Sequence, residues 1–420
     1  MKGSVYRKHQ FLPNINKFLV FDVIRKNSLI SASELVRSTN LSMPTIIKIL
    51  RDLEDSNYIK KDGKGESRGG RRPDLYRFNR DARYIIGVDF EIPKVRIISA
   101  DLADRLIARK SYTFNINDEL TTITDRLKSE IKEIISKSNT ESKKDLIGIG
   151  IAISGFTDPK KGISLSTPRI PFWKNVPICR IIKEEFNVPV HLINNTDARM
   201  MAEVEFAIKE LANNLIYVAF NEGLGAGLVV NGELISGRYG NAGAISHTTV
   251  NPKGPRCICG NSGCLELYAS ERGVLTRVKE LLGKEENPDL SPQKIDFKKV
   301  IALYKQGNRI CTTVLEDAAY YMGIGIANVV NLLEVDRVIV GGSIVQAGKP
   351  FLNMLKKEIK SHLQGVLKSN LKIQFAKLKE EEAGAIGAMV PIISDFFKEP
   401  ELKIKSQRIR ITNTHIITNR

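Results

Sequence analysis

His247, followed ten residues later by Cys257-Ile-Cys259-Gly-Asn-Ser-Gly-Cys264-Leu-Glu266, is the stretch on which the reading of this chain turns. Three cysteines fall within eight positions, while the other two, Cys179 and Cys311, stand alone. In a reducing compartment such a cluster points to a metal rather than to disulfides. One imidazole and three thiolates complete a tetrahedral shell for structural Zn2+ and leave no open position for catalysis. Cys257 and Cys259 are too close in sequence to form an unstrained disulfide with each other. The competing reading is three unrelated buried thiols. For Cys179 and Cys311, burial as small apolar groups is the expected role.

Around this block the texture is α/β. Apolar strands are expected at Ile85–Asp89, Val95–Ala100 and Leu106–Phe114 (a meander), then at Leu146–Ile153, Val188–Leu192, Leu215–Phe220, Gly227–Val230 and Arg337–Val340. Helical spacing is read at Leu120–Ser138, Asp197–Glu210, Leu265–Leu282, Ile310–Leu333, Pro350–His362 and Glu382–Phe397. Strands alternating with helices imply layers of helix on sheet. The last segment, 399–420, alternates polar and basic with apolar residues and reads as a basic tail or an added edge strand.

Upstream, residues 1–80 are different in kind. A first helix is expected over Asn16–Arg25, with Leu19, Val20, Val23 and Ile24 on its inner face. Ser31-Ala-Ser-Glu34 has the capping-box spacing that opens a helix. After a turn at Thr39-Asn40, Ser42 can cap a third helix, with Pro44 in its first turn and Ile46, Ile49, Leu50 and Leu53 at helical intervals. Two short strands, Tyr58–Lys60 and Leu75–Phe78, flank a glycine-rich basic loop from Lys61 to Pro73. This is the order of a winged helix-turn-helix, whose second helix enters the major groove of DNA. Ser42, Met43 and Thr45 would then meet base edges. Lys48 and Arg51 would reach phosphates or bases, and Lys64, Arg68, Arg71 and Arg72 would extend from the wing. A winged helix used for protein contacts is the alternative.

Charge agrees with a nucleic-acid partner. The chain of 420 residues has a formal net charge of +17. Residues 1–80 carry 17 Lys and Arg against 8 Asp and Glu, a net of +9 in about a fifth of the length. A basic, evenly distributed excess would serve solubility alone; a clustered one favours a polyanion. No apolar run is long enough to cross a bilayer, and the N-terminus lacks the apolar core of a signal peptide, so a cytoplasmic protein is expected.

Taken together, several motifs resemble the ROK (repressor/open-reading-frame/kinase) family, in the branch of xylose and N-acetylglucosamine repressors. They are the Ser67-Arg-Gly-Gly-Arg-Arg-Pro73 wing, Gly87-Val-Asp89, Gly155-Phe-Thr-Asp-Pro159 before Trp173-Lys-Asn175, and Gly223-Leu-Gly-Ala-Gly227. The His247/Cys257/Cys259/Cys264 set with Gly263-Cys-Leu-Glu266, and Gly341-Gly342, complete the series. The resemblance implies a DNA-binding domain over 1–80 and a two-lobed actin-like, ribonuclease-H-like sugar-kinase fold over 81–398. It also implies a sugar cleft between the lobes and assembly into a homodimer or tetramer on a palindromic operator. Asn175, Asn194, Asn195, His247 and Glu266 are the expected sugar contacts, with His247 serving zinc and ligand through its two ring nitrogens.

Two departures argue against phosphoryl transfer. The family's kinases carry Asp-x-Gly-Gly-Thr-Lys in the first hairpin, where this chain has Asp89-Phe-Glu-Ile-Pro-Lys94. A carboxylate replaces small, donor-rich backbone, and Pro93 removes an N–H. The family's catalytic Asp position holds Asn195, and an amide is no general base at neutral pH. Asp197 is the nearby carboxylate that could replace it, or else the cap of the following helix. Ala244-Ile-Ser-His247 also lacks the family's Glu. The glycines at 223, 225 and 227 either hold a phosphate or only shape a tight turn. The expected function is a sugar-responsive repressor of carbohydrate genes, in which the sugar selects one lobe arrangement. An active sugar kinase with an added DNA-binding domain and a constitutive DNA-binding protein are the alternatives.

Overall fold

In the computed structural model of the protein, residues 15–66, 72–102, 105–138, 145–167, 170–208, 212–283 and 295–397 are described. The chain divides into two compact units, one of residues 1–82 together with Ser394 onward, the other of Arg83–Ile393. The basic tail 399–420, and Arg68 and Arg71 of the wing loop, lie outside the described residues.

The first unit holds α1 (Ile15–Lys26), β1 (Ile30–Ser31), α2 (Ala32–Thr39), α3 (Met43–Asp55), β2 (Ile59–Lys64) and β3 (Asp74–Phe78). Ser31 starts α2 through a complete capping box. Its backbone N–H donates to Glu34 Oε2 at 2.8 Å, and the Glu34 N–H donates to Ser31 Oγ at 3.3 Å. Such a cap contributes about 1 kcal/mol. Asn40 ends the helix in the left-handed conformation, φ 56°. Ser42 caps α3, and Ile46, Ile49, Leu50 and Leu53 turn inward as their spacing predicts.

Two details differ from the sequence reading. Leu19 lies outside, 39 % exposed, and Phe21 takes the inner position between Tyr58 and Phe78, with ring centroids 5.5 and 5.4 Å away. The two-residue β1 also completes a third strand, in the order β1-β3-β2. It was missed because two residues carry no periodicity. Strand β2 runs on to Lys64, four residues into the stretch taken as loop. Phe396 stacks on Tyr58 within this unit, centroids 6.1 Å apart.

The second unit begins with the meander β4 (Arg83–Glu91), β5 (Lys94–Asp101) and β6 (Leu106–Thr113), followed by α4 (Leu120–Ser138) and β7 (Asp145–Ile153). A small sheet of β8 (Phe156–Asp158), β9 (Ile163–Thr167) and β10 (Ile170–Val176) precedes α5 (Ile178–Phe186), β11 (Val190–Asn194) and α6 (Asn195–Ala202). The chain continues through β12 (Leu215–Phe220), β13 (Leu224–Val230), β14 (Glu233–Leu234), α7 (Glu271–Leu282), α8 (Phe297–Lys305) and α9 (Arg309–Leu333). It ends with β15 (Arg337–Gly342), α10 (Gly348–Ser361), α11 (Gly365–Asn370), β16 (Lys372–Phe375) and α12 (Glu380–Phe397).

Two five-stranded sheets result, ordered β11-β7-β4-β5-β6 and β14-β13-β12-β15-β16. Each is one antiparallel meander extended by two parallel strands. The same topology therefore occurs twice, once per lobe. One core packs α4 and α5 on the first sheet, centred on Ile86, Val88, Leu127 and Ile151; the other packs α7 to α10 on the second, centred on Val218, Met322, Val340 and Phe351.

Helix α12 lies against the first sheet at backbone distance. A Cβ on Gly150 would fall 1.7 Å from the Ala388 carbonyl oxygen, and one on Gly387 would fall 1.7 Å from that of Ala198. No side chain fits at either position, and this close approach sets the head of α12 beside Asp89.

Candidate sugar cleft and metal loop

The strand β13 organises the cleft. Gly223 precedes it, and Gly225 and Gly227 lie within it, at alternate positions along one face. Cβ atoms there would meet Glu266 Oε1 at 2.9 Å, Thr196 Oγ1 at 2.7 Å and Asp197 Oδ1 at 3.0 Å. None of the three adopts left-handed backbone; Gly223 does lie in the turn between β12 and β13, where the Asn221 N–H donates to its carbonyl at 2.9 Å. Gly225 and Gly227 are strand residues that let the first turn of α6 come close, and Gly223 in the turn admits Glu266.

The α6 terminus is capped by Asn194, not by Asp197. Asn194 Oδ1 accepts the Thr196 N–H at 2.9 Å and its amide donates to the Gly155 carbonyl at 3.2 Å, so both ends of this candidate sugar ligand already serve the fold. Asn195 is half-buried, and its side chain makes no hydrogen bond among the described residues. Asp197 sits inside the first turn, 3 % exposed, where burial pushes its carboxyl up to about 7.

Glu266 pairs with Arg272 at 3.1 Å. Asn175 is exposed with φ 51°, beside the buried Trp173, whose indole N–H donates to Ser164 Oγ at 2.9 Å. No hydrogen bond among the described residues joins Asn175 to the other four sugar candidates.

His247 and Cys264 are linked through neighbouring backbone, since the Leu265 N–H donates to the Thr248 carbonyl at 3.0 Å. The ligand atoms of His247, Cys257, Cys259 and Cys264 all lie within 4.8 Å of one another. Cys257 Sγ is 3.8 Å from His247 Nδ1, and Cys259 Sγ is 3.6 Å from Cys264 Sγ. A tetrahedral shell with Zn–S near 2.3 Å sets sulfurs roughly 3.8 Å apart, so the four side chains are compatible with zinc. Burial pushes the Cys264 thiol up to about 12, as it does the isolated Cys179. His247 is exposed and turns Nδ1 to the sulfurs, which leaves Nε2 for a second partner.

Across the cleft, Asp89 and Glu91 do not face open space. Both engage Arg199, with Asp89 Oδ2 at 3.2 Å and Glu91 Oε1 at 3.3 Å. Burial pushes the Asp89 carboxyl up to about 6 despite Arg199. Arg199, Glu380 and Arg272 were all missed by the sequence reading. A lone arginine among the small and apolar residues Ala198, Met200, Met201 and Ala202 was the available signal for Arg199.

In the first unit, Met43, Lys48 and Arg51 project from α3 into solvent, joined by Ile47, 48 % exposed, which the motif reading passed over. Ser42 and Thr45 hydroxyls bond each other at 2.8 Å at the helix start. Lys64 pairs with Asp74, so part of the wing charge is offset within the hairpin; Arg72 is exposed.

The duplicated meander and the cysteine loop define a sugar-kinase-type, actin-like protein. Residues 85–393 match the ROK family, and the chain belongs to it. It is 33 % identical over 397 residues to the xylose repressor of Caldicellulosiruptor bescii, covering 94 % of this chain and 99 % of that one. Its fold is similar to the crystal structure of a ROK family transcriptional regulator, a homolog of the E. coli MLC protein. The TM-score there is 0.79 at 25 % identity, with 91 % of this chain and 97 % of the other covered. A ROK family glucokinase from Streptomyces griseus, solved with glucose and AMPPNP, matches at TM-score 0.61 and 26 % identity. That match covers 97 % of the kinase but 73 % of this chain. Among the described residues no helix is long and apolar enough to cross a membrane.

Proposed function

We propose that this protein is a sugar-responsive DNA-binding repressor of carbohydrate-use genes, with D-xylose the first effector to test. The observation that carries the reading is coverage. Similarity to a regulator runs through both units, whereas similarity to the glucokinase accounts for about three quarters of the chain. The first unit reads as a winged helix-turn-helix, with α3 as the groove helix and β2–β3 as the wing. Met43, Ile47, Lys48 and Arg51 form its reading face. Arg68, Arg71 and Arg72 add phosphate contacts that make affinity fall with salt.

In the second unit, Asn195, His247 and Glu266 would meet sugar hydroxyls, and Asn194 would position them. His247 Nδ1, Cys257, Cys259 and Cys264 would hold Zn2+. Bound there, the ion would tie these four side chains together and so pin the loop bearing His247 and Glu266. Phosphoryl transfer is not part of the reading: Asn195 stands at the base position, and Glu91 and Pro93 stand in the phosphate hairpin. The assembly would be a homodimer or tetramer on a palindromic site.

A mobility-shift titration of duplex DNA from upstream of the gene, with and without D-xylose, checks the reading. Binding at low salt that a sugar weakens supports it. An ADP-release assay with xylose and glucose is the counter-test, since brisk turnover would establish the kinase instead.

A further inference from the structure

Arg199 is the most enclosed cation among the described residues, 1 % exposed. All three of its guanidinium nitrogens are used. Nε donates to Glu380 Oε1 at 2.7 Å, Nη1 to the Asn195 carbonyl at 3.2 Å, and Nη2 to Asp89 Oδ2 at 3.2 Å with Glu91 Oε1 at 3.3 Å. These partners come from three elements, and one of them leads on to the second sheet. Asp89 and Glu91 end β4, whereas Glu380 heads α12 and is held by the Asn221 amide at 2.7 Å. Asn221, just past β12, in turn accepts the Ser343 N–H at 3.1 Å beyond β15. One side chain thus closes a polar path from the first sheet to the second.

Charge makes the arrangement dependent on that side chain. Three carboxylates converge, and Arg96 also serves two of them, at 3.2 Å from Asp89 and 2.6 Å from Glu91. Asp89 Oδ1 and Arg96 Nε are both buried with no hydrogen-bond partner among the described residues, so this carboxylate keeps an oxygen that neither guanidinium satisfies. Oxygen-rich convergence of this kind is what a hard divalent cation takes in other proteins. Here a planar guanidinium supplies the charge and matches several carboxylates at once, which a lysine could not.

We propose that Arg199 is a built-in counter-ion that latches the two sheets across the cleft, filling a three-carboxylate site that would otherwise take a divalent cation. The latch is therefore closed without metal, and it yields only to something that moves α6. The functional use of this latch rests on the regulator reading, because Arg199 grips the carbonyl of Asn195, the residue assigned to the sugar. The latch itself does not.

The test uses the full-length, zinc-loaded chain. Zinc binds N/S ligands far more tightly than manganese does, so manganese can probe the carboxylates separately. Wild type should bind no Mn2+ at this site, and its melting temperature should ignore millimolar MnCl2. Arg199→Ala should melt several degrees lower, bind one additional Mn2+ by electron paramagnetic resonance, and recover at least half of the loss with millimolar MnCl2 or guanidinium ion. Arg199→Ala/Glu380→Gln should lose the manganese effect. Absence of bound manganese together with no recovery by either ion overturns the proposal.

Should Arg199→Ala fail to fold, the shape-preserving Glu380→Gln decides. Hydrogen exchange should quicken about tenfold or more in Asn195–Arg199 and in the β4–β5 turn, with α4 unchanged. Unaltered exchange there overturns the latch. D-xylose titrated into wild type reports on the regulator reading separately. Silence toward xylose leaves the manganese result standing, and silence toward manganese with an intact xylose response removes the latch alone.

Discussion

The β4–β5 and β12–β13 hairpins occupy the same place in two sheets of the same strand order, and they have been filled in opposite ways. The first turns through Glu91-Ile-Pro-Lys94 and carries Asp89, Glu91 and Arg96 into a buried ion network with Arg199 and Glu380. The second turns through Asn221-Glu-Gly-Leu224 and stays bare, its glycines admitting Glu266 and α6. Buried charges are costly to desolvate and tolerate loss of a partner badly. A glycine face costs little but admits no bulk. One hairpin is therefore held by charge, and the other by glycines against which α6 and Glu266 pack closely.

This contrast can be broken most severely next to the glycine hairpin. Stripping metal from the His247–Cys264 loop with a chelator should lower the melting temperature by more than about 10 °C and abolish any sugar effect, because structural zinc contributes folding free energy directly. Calorimetry with and without added ZnCl2 checks this, and an unchanged melt would show that the thiols are structural without metal.

Next in size is Gly225→Val, which drives a branched side chain onto Thr196. Overpacking costs about 1–3 kcal/mol, and sugar affinity by isothermal titration should fall at least about tenfold. The equivalent bulk at exposed Gly232, which has open space around it, should leave affinity intact despite its φ of 75°.

Smaller and of opposite sign is Asp197→Asn. Asp197 titrates near 7 when folded, against 3.8 for the ordinary carboxyl, so the folded state binds the extra proton between these values. Stability contributed by the neutral acid is then lost as pH rises from about 4 to about 7. The asparagine variant should melt higher than wild type by a margin that grows across that window and levels off above it. Melting curves from pH 4 to 8 check this, and a margin that shrinks with pH contradicts it.

The smallest effect expected is none. Returning Glu91 and Ile92 to glycine and Pro93 to threonine should yield no ADP release above background, since Asn195 remains. Measurable turnover would mean that the first hairpin alone separated this chain from a kinase.

Elements with local signals were legible: the α4 boundaries, strand Leu215–Phe220, the Ser31 capping box and the cysteine set all follow from neighbours within a few residues. Short or tertiary features were not. Strands β1 and β8 are too brief for a period to show, β9 and β10 do not bury alternate residues, and α5 and α8 were passed over although both are amphipathic. Helix α6 stops at Ala202 and loosens into wider turns over Glu203–Ala207, where the apolar spacing had promised one helix to Glu210. Glu203 accounts for part of this, because it accepts the Lys377 and Leu378 N–H groups at 2.7 and 2.6 Å. The Arg199 network was out of reach because Glu380 lies 181 positions away. The glycines of β13 were visible, but their purpose depends on Thr196, Asp197 and Glu266 arriving from elsewhere in the chain.

The most direct measurement is footprinting of upstream duplex DNA by the purified protein at low ionic strength, across a panel led by D-xylose. Protection of a two-fold symmetric site that at least one sugar reduces, without ADP appearing, is the predicted result. A chain that leaves the duplex unprotected, or whose footprint no sugar alters while it phosphorylates one of them, would contradict the account.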